Sequence, residues 1–187
     1  MTLLTIATAI QFIILIGLAI VVLSLARQVG ILHERLSPAG MARSRNEVKP
    51  GDVVPAPALA AVSGSPVSLA GRKSALLFVS AECPICRSVL PAFEAAVERS
   101  DFVPYWVADG LPGPSGALPD YSRYAEERHI DEAHMVVSQD LGLGLGVQQI
   151  PALVLIDAEQ KLIAREVLSG PRQLTDLFAA AERAQPA

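Results

Sequence analysis

An α/β fold, with a mixed sheet covered by helices on both faces and preceded by a single transmembrane helix, is what three features of the sequence predict. An uncharged apolar run opens the chain, short apolar segments of strand length alternate with segments of helical period, and two cysteines stand at one strand-to-helix junction. At 187 residues, 51% of them hydrophobic, there is room for one anchor and one domain with a single core. A mean hydropathy of +0.41 is high for a domain meant for water, and the excess is concentrated at the start. The formal net charge of -4 supplies no basic surface to neutralise phosphates, which excludes nucleic acid as the expected partner.

The first element is the run from Thr2 to Ala26, uncharged throughout and dominated by Leu, Ile, Val and Ala. It exceeds the ~20 helical residues that cross a hydrocarbon core, so a lipid bilayer is its expected partner. A cleavable signal peptide would show a basic beginning and a small-x-small cleavage site, and neither is evident around Leu23 to Gln28. After the run, Arg27, Arg35, Arg43, Arg45 and Lys49 outnumber Glu34 and Glu47, a bias that by itself places the rest of the chain in the cytoplasm. Val29 to Leu36 reads as a short helical continuation, ended by Ser37-Pro38-Ala39-Gly40. The expected organisation is a transmembrane helix over 2–26, a juxtamembrane segment and linker over 27–50, and a folded domain over 51–187.

Within the domain, Ala75 to Val79 fits a buried strand, and Cys83 to Glu98 carries Val89, Leu90, Phe93, Ala96 and Val97 at helical spacing. Val103 to Val107 predicts a strand with Trp106 as a core residue, Tyr121 to Glu127 a helix, and Met135 to Val137 a short strand. Ala152 to Ile156 and Leu162 to Val167 predict a hairpin closed by Asp157-Ala158-Glu159-Gln160, and Arg172 to Arg183 an amphipathic closing helix. The Pro/Gly-rich piece from Leu111 to Pro119 reads as a surface loop. Leu141 to Gly146 alternates leucine and glycine without the flanking strand and helix of a phosphate-binding loop, and reads as connecting backbone.

Two cysteines are too few for a disulfide framework, and His33, His129 and His134 complete no recognisable zinc spacing, so neither a metal nor any other cofactor is expected. The histidines read as surface or capping residues. What remains is chemistry between the thiols. Thiol-disulfide exchange needs a thiolate, and the unpaired N-H groups and dipole of a helix N-terminus stabilise an anion placed there. Cys83, at the helix start, is the expected attacking thiol; Cys86, one turn further in, is placed to attack the mixed disulfide and release the substrate. Pro84 has no N-H to leave unpaired in the first turn, and Ile85 adds no charge. Glu82 is a possible modulator of the nucleophile, relaying a proton or opposing thiolate formation, or else an ordinary solvated carboxylate. None of these residues tells whether the pair oxidises or reduces, nor which redox partner regenerates it.

The stretch Leu76-Leu77-Phe78-Val79-Ser80-Ala81-Glu82-Cys83-Pro84-Ile85-Cys86-Arg87 resembles the active-site segment of thioredoxin-like proteins. Pro91 falls where that family kinks its active-site helix, and Gly146 to Leu153 resembles its cis-proline loop. The resemblance therefore implies that Pro151 is cis and that Ile150 and Pro151 bind the substrate backbone beside the disulfide. Pro50-Gly51-Asp52 through Pro57, Val67-Ser68-Leu69 and Gly71 resemble the extra N-terminal strands of the membrane-tethered bacterial branch. Two departures stand out: Glu82 replaces the tryptophan that commonly precedes the first cysteine, and Leu77 replaces a buried aspartate.

The segment Leu25 to Gly40, followed by a Cys-Pro-x-Cys domain of this kind, resembles the MauD family of methylamine utilization proteins. That resemblance implies a protein substrate, the small subunit of methylamine dehydrogenase, an exported and disulfide-rich client. It also implies a bacterial inner-membrane protein whose domain faces the periplasm, against the charge bias, because disulfide formation belongs to an oxidising compartment. Two alternatives carry different functions: a reductant for cytochrome c maturation, and a tethered binding module or holdase without redox activity. A peroxiredoxin-type peroxidase is disfavoured because Leu76 and Ser80 stand where it would need a proline and a threonine.

Overall fold

The computed structural model describes residues 6, 11–12, 14–20, 48–55, 57–112 and 116–184, and the chain divides into two units, Met1–Arg45 and Asn46–Ala187. In the first unit, residues 14–20 are helical, and Ile14, Leu15, Ile16, Leu18 and Ile20 all expose their side chains. No helix among the described residues is long and apolar enough to cross a membrane. Most of the expected anchor and nearly all of the expected juxtamembrane segment, His33 included, lie outside the described residues.

The second unit is built on a five-stranded mixed sheet. Its elements in chain order are β1 (Leu59–Ala60), β2 (Pro66–Val67), β3 (Ser74–Val79), α1 (Pro84–Val97), β4 (Val103–Ala108), α2 (Tyr121–Glu127), a 3-10 turn (Glu132–His134), β5 (Met135–Val137), α3 (Gln139–Gly144), β6 (Ala152–Ile156), β7 (Leu162–Val167) and α4 (Pro171–Ala184). The order across the sheet is β5-β4-β3-β6-β7, with β3, β4 and β5 parallel and β6 antiparallel to both β3 and β7. Every residue of the central strand β3 is buried, which is why it reads as a continuous apolar run.

The strand period of two divides the core. Ala75, Leu77 and Val79 face α1 and α4, where Phe93, Trp106, Phe102 and Phe178 pack edge to face or tilted with centroids 5.4 to 6.3 Å apart. Leu76 and Phe78 face the opposite side with Val107, Val136, Val154 and Ile156, covered by Leu141, Leu145 and the segment bearing Val54, Leu59 and Leu69. Helices thus lie on both faces, as the alternation of elements predicts.

A small antiparallel pair, β1–β2, precedes the main sheet, but of the residues expected to form extra N-terminal strands only Val67 lies in it; Pro50 to Pro57 contributes a single bridge, Val53 to Lys161, and Ala61 bridges Val136 at the other margin of the sheet. Trp106 is a core residue, as expected. One reading is corrected. The leucine-glycine stretch taken for connecting backbone contains a helix, α3, whose N-cap Ser138 Oγ accepts from the Leu141 N-H at 3.2 Å. Burial of Leu141 and Leu145, one turn apart, outweighs the poor helix propensity of glycine, and a Cβ at Gly142 would stand 3.5 Å from the Phe78 ring.

Candidate redox site

The cysteine pair sits where the central strand hands over to α1. After Val79 the chain turns: the Cys83 N-H donates to Ser80 O at 3.2 Å, and Cys83 becomes the N-cap residue in extended conformation. Its Sγ accepts the Cys86 N-H at 3.1 Å, replacing the oxygen that a serine or aspartate would offer to the same orphan donor. Pro84 occupies the first helical position, where no hydrogen bond is lost. From there Cys86, Val89, Leu90, Phe93 and Ala96 form one buried stripe that docks the helix on the sheet. Pro91 lies inside α1 on its exposed side, and the helix continues through it.

Cys83 and Cys86 form a disulfide with their Cα atoms 5.3 Å apart. The sulfurs are inequivalent. Cys86 is fully buried within the core, whereas Cys83 is half-buried at the helix mouth. An incoming thiolate therefore meets Cys83 first, and the N-H already directed at its sulfur would stabilise a thiolate there once the disulfide opens.

The other predicted residues converge on the same end of the sheet. Ala152 pairs with Phe78, the next-to-last residue of β3, so Pro151 lies level with the start of the turn that leads to Cys83. The Ile150–Pro151 peptide bond is cis, and Pro151 O accepts from the Leu168 N-H at 2.8 Å. Pro151 is buried, while Ile150 and Ile85 remain 37% and 48% exposed and offer apolar surface.

Glu82 is exposed, immediately before the nucleophile position. Beneath it the structure assembles a group that the sequence did not reveal. The Tyr121 phenol has its pKa pushed up to about 12, by burial first and then by the negative charge of Asp109, by Tyr124 and by Glu82. Its hydroxyl is buried without a hydrogen-bond partner, as are those of Tyr124 and the Trp106 indole N-H. Asp109 follows β4 and Tyr121 opens α2, so no local spacing could have joined them to Glu82. Leu77, in place of the aspartate that the resemblance leads one to expect, is fully buried. His129 lies just past α2 at positive φ, and His134 stacks edge-on with Tyr105 at 5.5 Å; both fit the surface and capping roles read from the sequence.

No protein-family model matches the chain. Among solved structures, the thioredoxin domain of a thiol-disulfide oxidoreductase from Bacteroides vulgatus is similar with a TM-score of 0.56 at 22% identity, over 73% of this chain and 98% of that one. A thiol:disulfide interchange protein of the thioredoxin family from Chlorobium tepidum gives 0.55 at 20% identity, over 72% and 97%. These likenesses establish the thioredoxin fold. Carrying a disulfide between an accessible N-cap cysteine and a buried partner in that fold, the chain is a thiol-disulfide oxidoreductase. Methylamine utilization protein MauD of Methylorubrum extorquens is 30% identical over 171 residues, 89% of this chain and 80% of that protein. MauD of Paracoccus denitrificans is 30% identical over 173 residues, 90% and 83% respectively. Similarity at that level, over 89–90% of this chain and 80–83% of the two relatives, means that this chain belongs to the MauD family of methylamine utilization proteins.

Proposed function

We propose that this protein forms or rearranges disulfides in the small subunit of methylamine dehydrogenase, held near the point of export by a transmembrane helix over 2–26 with its domain, 51–187, in the periplasm. The observation that carries the reading is the inequivalence of the two sulfurs at the start of α1, in a chain of the MauD family. In the oxidising direction a client thiolate attacks Cys83 Sγ, the Cys83–Cys86 bond breaks, and Cys86 leaves as the thiolate. A second client thiolate then attacks the client sulfur of the mixed disulfide, and Cys83 leaves. The client gains a disulfide, the enzyme keeps two thiols, and a redox partner must reoxidise them. In rearrangement the reduced Cys83 attacks a wrong client disulfide, and Cys86 frees the enzyme from dead-end complexes.

Ile150 and the cis Pro151 present backbone and apolar surface for the client strand beside the disulfide, and Glu82 modulates the nucleophile. The apolar 2–26 run, with its described residues helical and exposed, supports the anchor. A Cys83→Ala, Cys86→Ala double variant in the native host tests the function: small-subunit abundance, disulfide pattern and quinone content should all fall. Normal values in all three would leave a tethered binding module as the better reading. Added protease should digest the domain in spheroplasts; a protected domain would sink the periplasmic assignment.

A further inference from the structure

The last strand of the sheet places two charged residues, Arg165 and Glu166, after the apolar Leu162, Ile163 and Ala164. Arg165 stands opposite Val154 in the β6–β7 ladder, and Val154 belongs to the buried aliphatic face. Its guanidinium reaches across to the end of α3, where Nη1 donates to Leu145 O at 2.6 Å and lies 3.5 Å from Val48 O. The helix end needs such a donor. The Leu145, Gly146 and Val147 N-H groups take the carbonyls of Leu141, Leu143 and Gly142, and the Leu145 carbonyl, pointing onward, is met by the cation. Gly146 then turns the chain with φ 66°, and a Cβ there would stand 2.5 Å from Arg165 Nη1. The positive φ favours glycine at this corner, and a Cβ there would push the guanidinium aside.

The corner opens the loop that ends at Pro151. Among the described residues no hydrogen bond holds Gln148, Gln149 or Ile150, and the next anchor is the Leu168 N-H on Pro151 O. The three residues hang between a grip from the middle of β7 and a grip from the residue just past its end. A cleft of ≈ 370 Å³ runs alongside, lined by Gln148, Gln149, Arg165 and Glu166 among others.

We infer that Arg165 is a positioning residue for client docking: by fixing the Leu145–Gly146 corner it sets where the Gln148–Ile150 backbone meets a polypeptide at the Cys83–Cys86 disulfide. The inference rests on the proposed docking role of Ile150 and Pro151. Because the residue acts through the loop and not on the sulfurs, it governs polypeptide binding and leaves exchange with small thiols alone.

The test uses the full-length oxidised protein in detergent micelles, with a ten-residue peptide bearing two cysteines and, separately, dithiothreitol as reductant. Arg165→Met should raise the peptide KM about 5- to 10-fold with kcat within about twofold of wild type. The dithiothreitol rate and the redox potential against glutathione should not move, and Arg165→Lys should recover part of the KM. An unchanged peptide KM, or a parallel fall in both rates, overturns the inference. Should Arg165→Met fail to fold, Arg165→Lys is read by the same criteria. Ile150→Asp separates the two levels: if it raises the peptide KM while Arg165→Met does not, only the role of Arg165 falls. If Ile150→Asp leaves the peptide KM unchanged, the docking reading falls, and the inference with it.

Discussion

The two walls of the redox site are built in opposite ways. The α1 wall is over-determined: Cys83 caps the helix, Cys86 is sealed in the core, and Phe93 locks the helix against Trp106 and Phe178. The Gly146–Pro151 wall is held at its ends and bare in its middle, with Gln148, Gln149 and Ile150 exposed and their backbone groups unengaged. Chemistry between sulfurs tolerates little displacement, so the reacting pair sits on the rigid side. A client backbone needs free N-H and C=O groups to pair with, and the proposed recognition falls on the side that leaves them open.

The largest effects should come from the rigid wall. Cys83→Ser should abolish exchange by more than about 10³-fold, because no other group can take up the client sulfur. Cys86→Ser should instead accumulate mixed disulfides through Cys83, visible on non-reducing gels. Trapping only by the Cys83 variant would reverse the order of attack. Phe93→Ala comes next. Its ring is fully buried between α1, the sheet and α4, so truncation should destabilise the domain by about 3–5 kcal/mol in urea unfolding. A loss under about 1 kcal/mol would mean that aromatic packing does not hold this wall.

A smaller change is expected from the open wall. Gly146→Ala places a Cβ at positive φ and against the Arg165 guanidinium. The left-handed conformation alone costs about 1–2 kcal/mol for a non-glycine residue, so a loss of that size in urea unfolding is the expected reading. No measurable loss would show that the corner relaxes freely and that the loop is not anchored there.

How much of this contrast the sequence carries differs between the walls. The rigid wall was legible because its determinants are local: an apolar strand, a cysteine at the cap position, proline at the first helical position, and a buried stripe of helical period. The loop was legible only through its resemblance to the cis-proline loop of thioredoxin-like proteins, since the Ile-Pro dipeptide itself does not dictate a cis bond. The helix ahead of it was missed because two glycines weaken the periodic signal, while the stabilising contacts of Leu141 and Leu145 come from residues distant in sequence. Arg165 did leave a trace, a cation beside Glu166 near the end of a strand that begins apolar. Its target carbonyl, 20 residues away, is a fact of the fold alone.

The smallest expected effect probes the floor of the rigid wall. Tyr121 packs in the same buried cluster as Cys86, with its hydroxyl unpartnered and its pKa raised from 10.0 to about 12 by burial, Asp109, Tyr124 and Glu82. Well below pH 10 the phenol is protonated in folded and unfolded chains alike, so its titration does not alter stability. As pH climbs from 10 toward 12, the unfolded chain releases the proton while the folded chain retains it, and stability falls. Tyr121→Phe should remove that part of the alkaline loss; the part due to Tyr124, whose pKa burial also raises, should remain. At neutral pH the same variant should be neutral or stabilising by up to about 1 kcal/mol, since an unpaired buried hydroxyl is deleted and the ring is kept. Glu82→Gln should lower the Tyr121 transition seen in the ultraviolet tyrosinate band, because one of the negative charges that raises it is gone. A transition unmoved by Glu82→Gln would mean that the carboxylate before Cys83 exerts no field on the floor of the site.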